Sequence, residues 1–192
     1  MEMEFELHRC PLSYANALRR VIISEIPTMA IDFVEISQNT TPLSDEFITH
    51  RLGLIPLHSQ LAGEFSYKSE CQCLQADEVC SSCSVKFELS VSNESENPID
   101  VCSNQLKLVQ ATTEKQKSVV PVRFKLNPES EEWRDILLMK LGRNQVLKLT
   151  CVAHKGKGQK HAKFSPVSVV SLKRKPLVSL NDSSGMGLTK HQ

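Results

Sequence analysis

YANALRRVIISEIPTMAIDFVEI, residues 14–36, decides how the rest of this chain is read. Pro11, just upstream, opens a helix where a missing N–H costs nothing, and Pro27 closes it, so a helix is predicted over LSYANALRRVIISEI, Leu12 to Ile26. At 100° per residue Asn16, Arg20 and Ser24 form one narrow polar stripe, and nearly everything else is apolar, Leu18, Val21, Ile22 and Ile23 among it. A helix that covers one sheet needs a narrower apolar stripe than this. The pattern therefore predicts burial on two sides, by the chain's own sheet and by something else. That second cover is either more of the same domain or another subunit. Arg19 and Arg20 are either ordinary helix-face charges or interface residues, since a charge inside an apolar stripe needs a partner. Beyond Pro27, Met29 to Ile36 reads as a strand, apolar on both faces apart from Asp32 and Glu35.

Working outward, Met1, Met3, Phe5 and Leu7 alternate with Glu2, Glu4, Glu6 and His8, which predicts a half-buried first strand. In NTTPLSDEFITHRLGLIPL, Ser44 can cap a short helix that Gly53 and Pro56 close. Alternation at Val85, Phe87, Leu89 and Val91, at Val120, Val122, Phe124 and Leu126, and at Leu147, Leu149, Cys151 and Ala153 makes the middle β-rich. QATTEKQKS (110–118) reads as a mobile loop and EEWRDILLMKL as a short amphipathic segment ended by Gly142. HKGKGQKHAKFSPV (154–167) is glycine- and lysine-rich but lacks P-loop spacing, and its lysines oppose cation binding by His154 and His161; a structured surface loop is expected. Val167, Val169, Val170 and Leu172 suggest a final strand, and the polar tail 176–192 suggests disorder.

Four of the seven cysteines fall in CQCLQADEVCSSC, residues 71–83. The start of the chain lacks the basic-then-apolar form of a secretory signal, and no apolar run reaches the ~18 residues of a membrane span. An intracellular setting is the expectation, where thiols stay reduced. Cys71-x-Cys73 followed by Cys80-x-x-Cys83 then offers four thiolates for a closed, structural zinc site; a redox pair, a disulfide or coincidence are the alternatives. Asp77 and Glu78 are expected as solvated loop residues, and Cys10, Cys102 and Cys151 as small buried residues. The net charge of +1 provides no global basic field for nucleic acid, and no nucleophile–base pair or carboxylate cluster stands out, so no enzyme is indicated.

The helix, the HRLGLIPL segment, the cysteine quartet followed by SVKFELSV, and GKGQKHAKFSPV occur in that order, and over roughly residues 1–172 the chain resembles the large alpha-like subunits of eukaryotic and archaeal DNA-directed RNA polymerases, with wording closest to the RNA polymerase II members. The resemblance implies an α+β fold. A discontinuous alpha-like dimerisation domain (1–38 plus 164–175) would carry an inserted β-rich, zinc-bearing domain (39–163). It further implies a non-catalytic scaffold role in transcription in the nucleus. The chain would form a heterodimer with the smaller alpha-like subunit, and that pair would carry the two largest subunits and small polymerase subunits. No sequence-specific nucleic-acid contact and no membrane are implied. Asn16, Leu18, Arg19 and Arg20 fall in the family's helix signature, and with Ile22 they make the expected partner interface. Asp45, Glu46, His50 and Arg51 fall in its second signature, His50 as a structural hydrogen-bonder. Cys71, Cys73, Cys80 and Cys83 fall on its zinc-bearing loop. Against the family pattern the chain begins at the second strand, has Cys10-Pro11 where a Thr-Asp is usual, and shows no helical period after Lys175. The alternative is a free-standing zinc-binding adaptor, or a nucleic-acid-binding protein using the Lys155–Lys163 loop.

Overall fold

The computed structural model describes residues 3–73, 80–126, 129, 131–176 and 178. In chain order the elements are α1 (Leu12–Ser24), β1 (Pro27–Asn39), α2 (Asp45–Gly53), β2 (Ser84–Asn93), β3 (Ile99–Cys102), β4 (Lys107–Val109), α3 (Glu114–Lys117), β5 (Phe124–Lys125), β6 (Trp133–Arg134), β7 (Leu137–Leu141) and β8 (Gln145–Lys157). Single 3-10 turns sit at Ala62–Glu64, Ser103–Gln105 and Ala162–Phe164. The fold is mixed α and β around one antiparallel sheet, in the order β1-β8-β2-β4. β3 with β7 and β5 with β6 make two smaller ladders.

The sheet follows from alternation. Val85, Phe87 and Leu89 on β2 and Leu147, Leu149, Cys151 and Ala153 on β8 are buried on one face. Ile48 and Leu52 of α2 share that core with Ile55, Leu57, Phe65 and Val101. Each such side chain contributes about 1.5–3 kcal/mol by leaving water. Ser44 caps α2 as read, its hydroxyl accepting from the Phe47 N–H at 3.4 Å. Asp45 and Glu46 in the first turn and His50 and Arg51 in the last match the helix dipole. At the far end of β8 both faces are covered: Ala30, Val152 and His154 are buried, and Phe164 lies over Gly156. No helix among the described residues is long and apolar enough to cross a membrane.

Several expectations are corrected. Residues 3–8 form no strand, and Met3, Phe5 and Leu7 are exposed; alternation alone supplies no partner strand. The stretch 167–172 is likewise irregular, with Val169 and Leu172 exposed. QATTEKQKS is ordered around α3, where Thr113 and Gln116 close a capping box and Gln116 is buried. EEWRDILLMKL contributes the short strands β6 and β7. Of the three remaining cysteines Cys151 is buried, while Cys10 and Cys102 are only half-buried. Within this chain α1 is covered only in part: Ala15 is its one buried residue, and Leu12, Tyr14 and Val21 are exposed. The tail beyond 178, and Asp77 and Glu78, lie outside the described residues.

What holds α1 is its C-terminal end. The Gln159 N–H donates to Ser24 O at 3.1 Å, and Lys157 pairs with Glu25 at 3.1 Å. A Cβ on Gly158 would collide with the Ile23 carbonyl oxygen, a backbone atom that cannot swing aside. The glycines of HKGKG are thus close-approach residues: Gly156 makes room for the Phe164 ring and Gly158 for the end of α1. Gly158→Ala is expected to displace α1 while leaving the sheet intact. Amide chemical shifts over residues 12–26 should move, those of β2 should not, and unfolding stability should fall by about 1–3 kcal/mol.

Candidate metal centre and partner surface

Cys80-x-x-Cys83 ends in a tight turn that leads directly into β2. The N–H groups of Cys83 and Ser84 both donate to Cys80 O, at 3.3 and 3.0 Å. The Ser84 hydroxyl accepts from the Cys80 N–H at 2.8 Å and donates back to Cys80 O at 3.1 Å. The turn is clamped from outside: Ser66 N–H donates to Ser82 O at 3.0 Å, and the buried Gln116 Nε2 donates to Ser84 O at 3.0 Å. Gln116 is the residue that sequence reasoning missed. The Thr-x-x-Gln spacing at Thr113 and Gln116 was the available signal.

Cys71 and Cys73 come to this turn from the other side. Cys71 Sγ lies 3.6 Å from Cys80 Sγ, and Cys73 Sγ lies 3.5 Å from Cys83 Sγ. All four sulfurs fall within 4.8 Å of one another. A tetrahedral ion with metal–sulfur bonds of about 2.3 Å needs sulfurs about 3.8 Å apart, so the donor set fits a closed four-thiolate site. The surroundings favour thiolate on part of the set. The Ser82 backbone N–H, more than any other group, pulls the Cys80 thiol down to about 7. Cys73 is lowered by its neighbours Cys71 and Cys83, with Lys68 Nζ donating to its sulfur at 3.4 Å. Burial, and after it the neighbouring cysteines, push the Cys83 thiol up. Four thiolates fill a tetrahedral coordination sphere, and such a donor set suits a structural ion.

The helix residues form a separate surface. Arg19 Nε and Nη2 both donate to Asn16 Oδ1, at 3.1 and 3.0 Å, across one helical turn. Leu18, Arg19 and Ile22 are half-buried, and Asn16 and Arg20 are exposed. On α2, Arg51 Nη2 reaches Leu137 O at 2.8 Å and Asp45 Oδ1 accepts from Asn39 Nδ2 at 2.7 Å, tying the second signature to β7 and β1. His50 is exposed, and its side chain makes no hydrogen bond among the described residues.

Residues 34–169, more than half of the chain, match the RNA polymerase Rpb3/RpoA insert domain. The chain belongs to that family. It is also 43% identical over 182 residues to "DNA-directed RNA polymerases II, IV and V subunit 3" of Arabidopsis thaliana, covering 93% of this chain and 55% of that protein. The "DNA-directed RNA polymerases IV and V subunit 3B" of the same plant is 41% identical, over 98% of this chain and 58% of its own length. "DNA-directed RNA polymerase II subunit rpb3" of Dictyostelium discoideum is 40% identical, over 98% of this chain and 59% of its own. The family member described here thus spans little more than half the length of these relatives.

Because Gln116 joins α3 to the carbonyl at the root of the cysteine turn, Gln116→Ala should destabilise the metal-free chain by about 1–3 kcal/mol, the effect of orphaning a buried carbonyl. Urea denaturation checks this, and a Gln116→Glu variant, which cannot donate in its ionised form, should fare no better.

Proposed function

We propose that this chain is a non-catalytic assembly subunit of nuclear DNA-directed RNA polymerase II. It pairs with a smaller alpha-like subunit, and that pair offers the platform on which the two largest subunits and the small subunits gather. One observation carries this reading: α1 holds an apolar surface that its own chain leaves open. Leu12, Tyr14 and Val21 are exposed on it, Ile26 follows, and Met3, Phe5 and Leu7 stand exposed just before it. A helix with one buried residue is poorly stabilised alone, since helices depend mostly on packing an apolar face. A helix from a partner would cover that face through Leu18 and Ile22, with Asn16, Arg19 and Arg20 at the rim. The names of the relatives, all polymerase subunits in the three comparisons above, support the polymerase as the assembly.

Cys71, Cys73, Cys80 and Cys83 would hold one zinc ion, which joins the loop to the root of β2. Comparable small sites contribute ~10–16 kcal/mol of apparent binding energy at neutral pH. The chain's part is to pre-position Cys80 and Cys83 by the Ser84 and Gln116 hydrogen bonds, and Cys71 by its N–H bond to the Tyr67 carbonyl at 3.1 Å. The division into a dimerisation unit (1–38 with 164–175) and a β-rich insert (39–163) belongs to the same proposal.

Two outcomes are expected. Leu18→Glu with Ile22→Glu should lower co-purification of the smaller alpha-like subunit at least tenfold, about 1.4 kcal/mol or more, with circular dichroism unchanged; undiminished pairing counts against the interface. Native mass spectrometry should find one zinc per chain, lost in Cys80→Ser. A fully folded, metal-free native chain would refute the zinc assignment.

A further inference from the structure

Beside the cysteine turn lies a cleft of about 390 Å³. Its walls are Tyr67, Lys68 and Ser69 on one side and His154 to Lys157 with Gln159 and Lys160 on the other, Asp32 being the one carboxylate. Four of the ten lining residues are lysines, so the cleft carries a local excess of positive charge in a chain whose net charge is only +1. Three of them are already held: Lys155 Nζ donates to Phe65 O at 2.7 Å and lies over the Tyr67 ring, Lys157 pairs with Glu25, and Lys68 reaches Cys73. The Lys160 ammonium makes no hydrogen bond or salt bridge among the described residues.

The decisive group is His154. Its side chain is only 8% exposed, yet neither ring nitrogen has a hydrogen-bond partner. Nδ1 stands 3.7 Å from Asp32 Oδ2, an approach too long for a hydrogen bond, and Asp32 is committed to Lys163 at 2.5 Å. A buried polar group left without a partner calls for an explanation. An imidazole carries at least one N–H in every protonation state, so His154 always presents a donor. A metal ion is excluded as its partner by the surrounding ammonium groups, which repel a cation.

We propose that this cleft binds a small phosphate-class oxyanion, with Lys160 supplying the free charge, His154 an N–H donor, and Lys155 and Lys157 the surrounding field. A multivalent anion suits several converging cationic donors, and charge-assisted bonds to its oxygens are the strong kind. The site does not depend on the polymerase reading, since it uses none of the residues of the partner surface or the four-thiol set.

The test is titration of the purified full chain with inorganic pyrophosphate at constant ionic strength, followed by the imidazole resonances of His154 and by calorimetry. Saturable binding is expected, weakened about tenfold in Lys160→Gln and in His154→Leu, which has no donor, and unchanged in Lys107→Gln, an exposed lysine of β4 outside the cleft. Lys160 is exposed, so its variant stays folded and remains decisive if His154→Leu is unstable. Absence of saturation, or equal affinity in Lys160→Gln and Lys107→Gln, overturns the proposal. So does a short single-stranded DNA that displaces pyrophosphate and binds more tightly, because the cleft would then serve a polymer backbone.

Discussion

The whole structure depends on the antiparallel pairing of β1 with β8. It runs from Pro27 opposite Lys157 to Asn39 opposite Leu147, nearly the full length of both strands. β8 lies between β1 and β2, so every other element is placed by reference to it. One end of the ladder carries the core beneath α2. The other carries α1, joined to β1 through Pro27 and fastened to the turn after β8. The cysteine turn enters from the neighbouring side, where Ser84 on β2 sits opposite His154 on β8.

The ladder is interrupted where the chemistry lies. Its register shifts twice, between Ile36 and Gln38 and, at this place, between Ile31 and Phe33, with Asp32 as the extra residue. A bulge re-aims the side chain it carries. Here it delivers Asp32 to Lys163 and close to His154, which is paired in register with Ala30. His154, Lys163 and Lys160 hold the Asp32 carboxyl well below the usual carboxylate range, against the opposing effect of burial. One irregular residue thereby couples the middle of the sheet to the basic loop that follows it.

Much of this was legible in the sequence, for reasons that are local. The period-2 pattern at Val85–Val91 and Leu147–Ala153, the Ser44 cap and the spacing of four cysteines each state a constraint satisfied within a few residues. What could not be read was non-local. Met3, Phe5 and Leu7 alternate like a strand, but a strand needs a neighbour that hydropathy cannot name. The lysines of HKGKGQK look alike on paper, while packing assigns one to Glu25, one to the Phe65 carbonyl and leaves the Lys160 ammonium without a hydrogen bond or salt bridge among the described residues. The buried imidazole of His154, without a hydrogen bond, had no signature at all, because that depends on the 3.7 Å at which Asp32 comes to stand from it.

The same central ladder governs how the chain can be made. Thr40 and Val146, which bond at the end of the β1–β8 pairing, lie 106 residues apart. At ribosomal rates of about 5–20 residues per second, β1 waits roughly 5–20 s for its mate to be synthesised. Throughout that interval an extended, largely apolar segment is without its hydrogen-bonding neighbour, which makes the nascent chain a substrate for chaperones until Lys157 clears the exit tunnel.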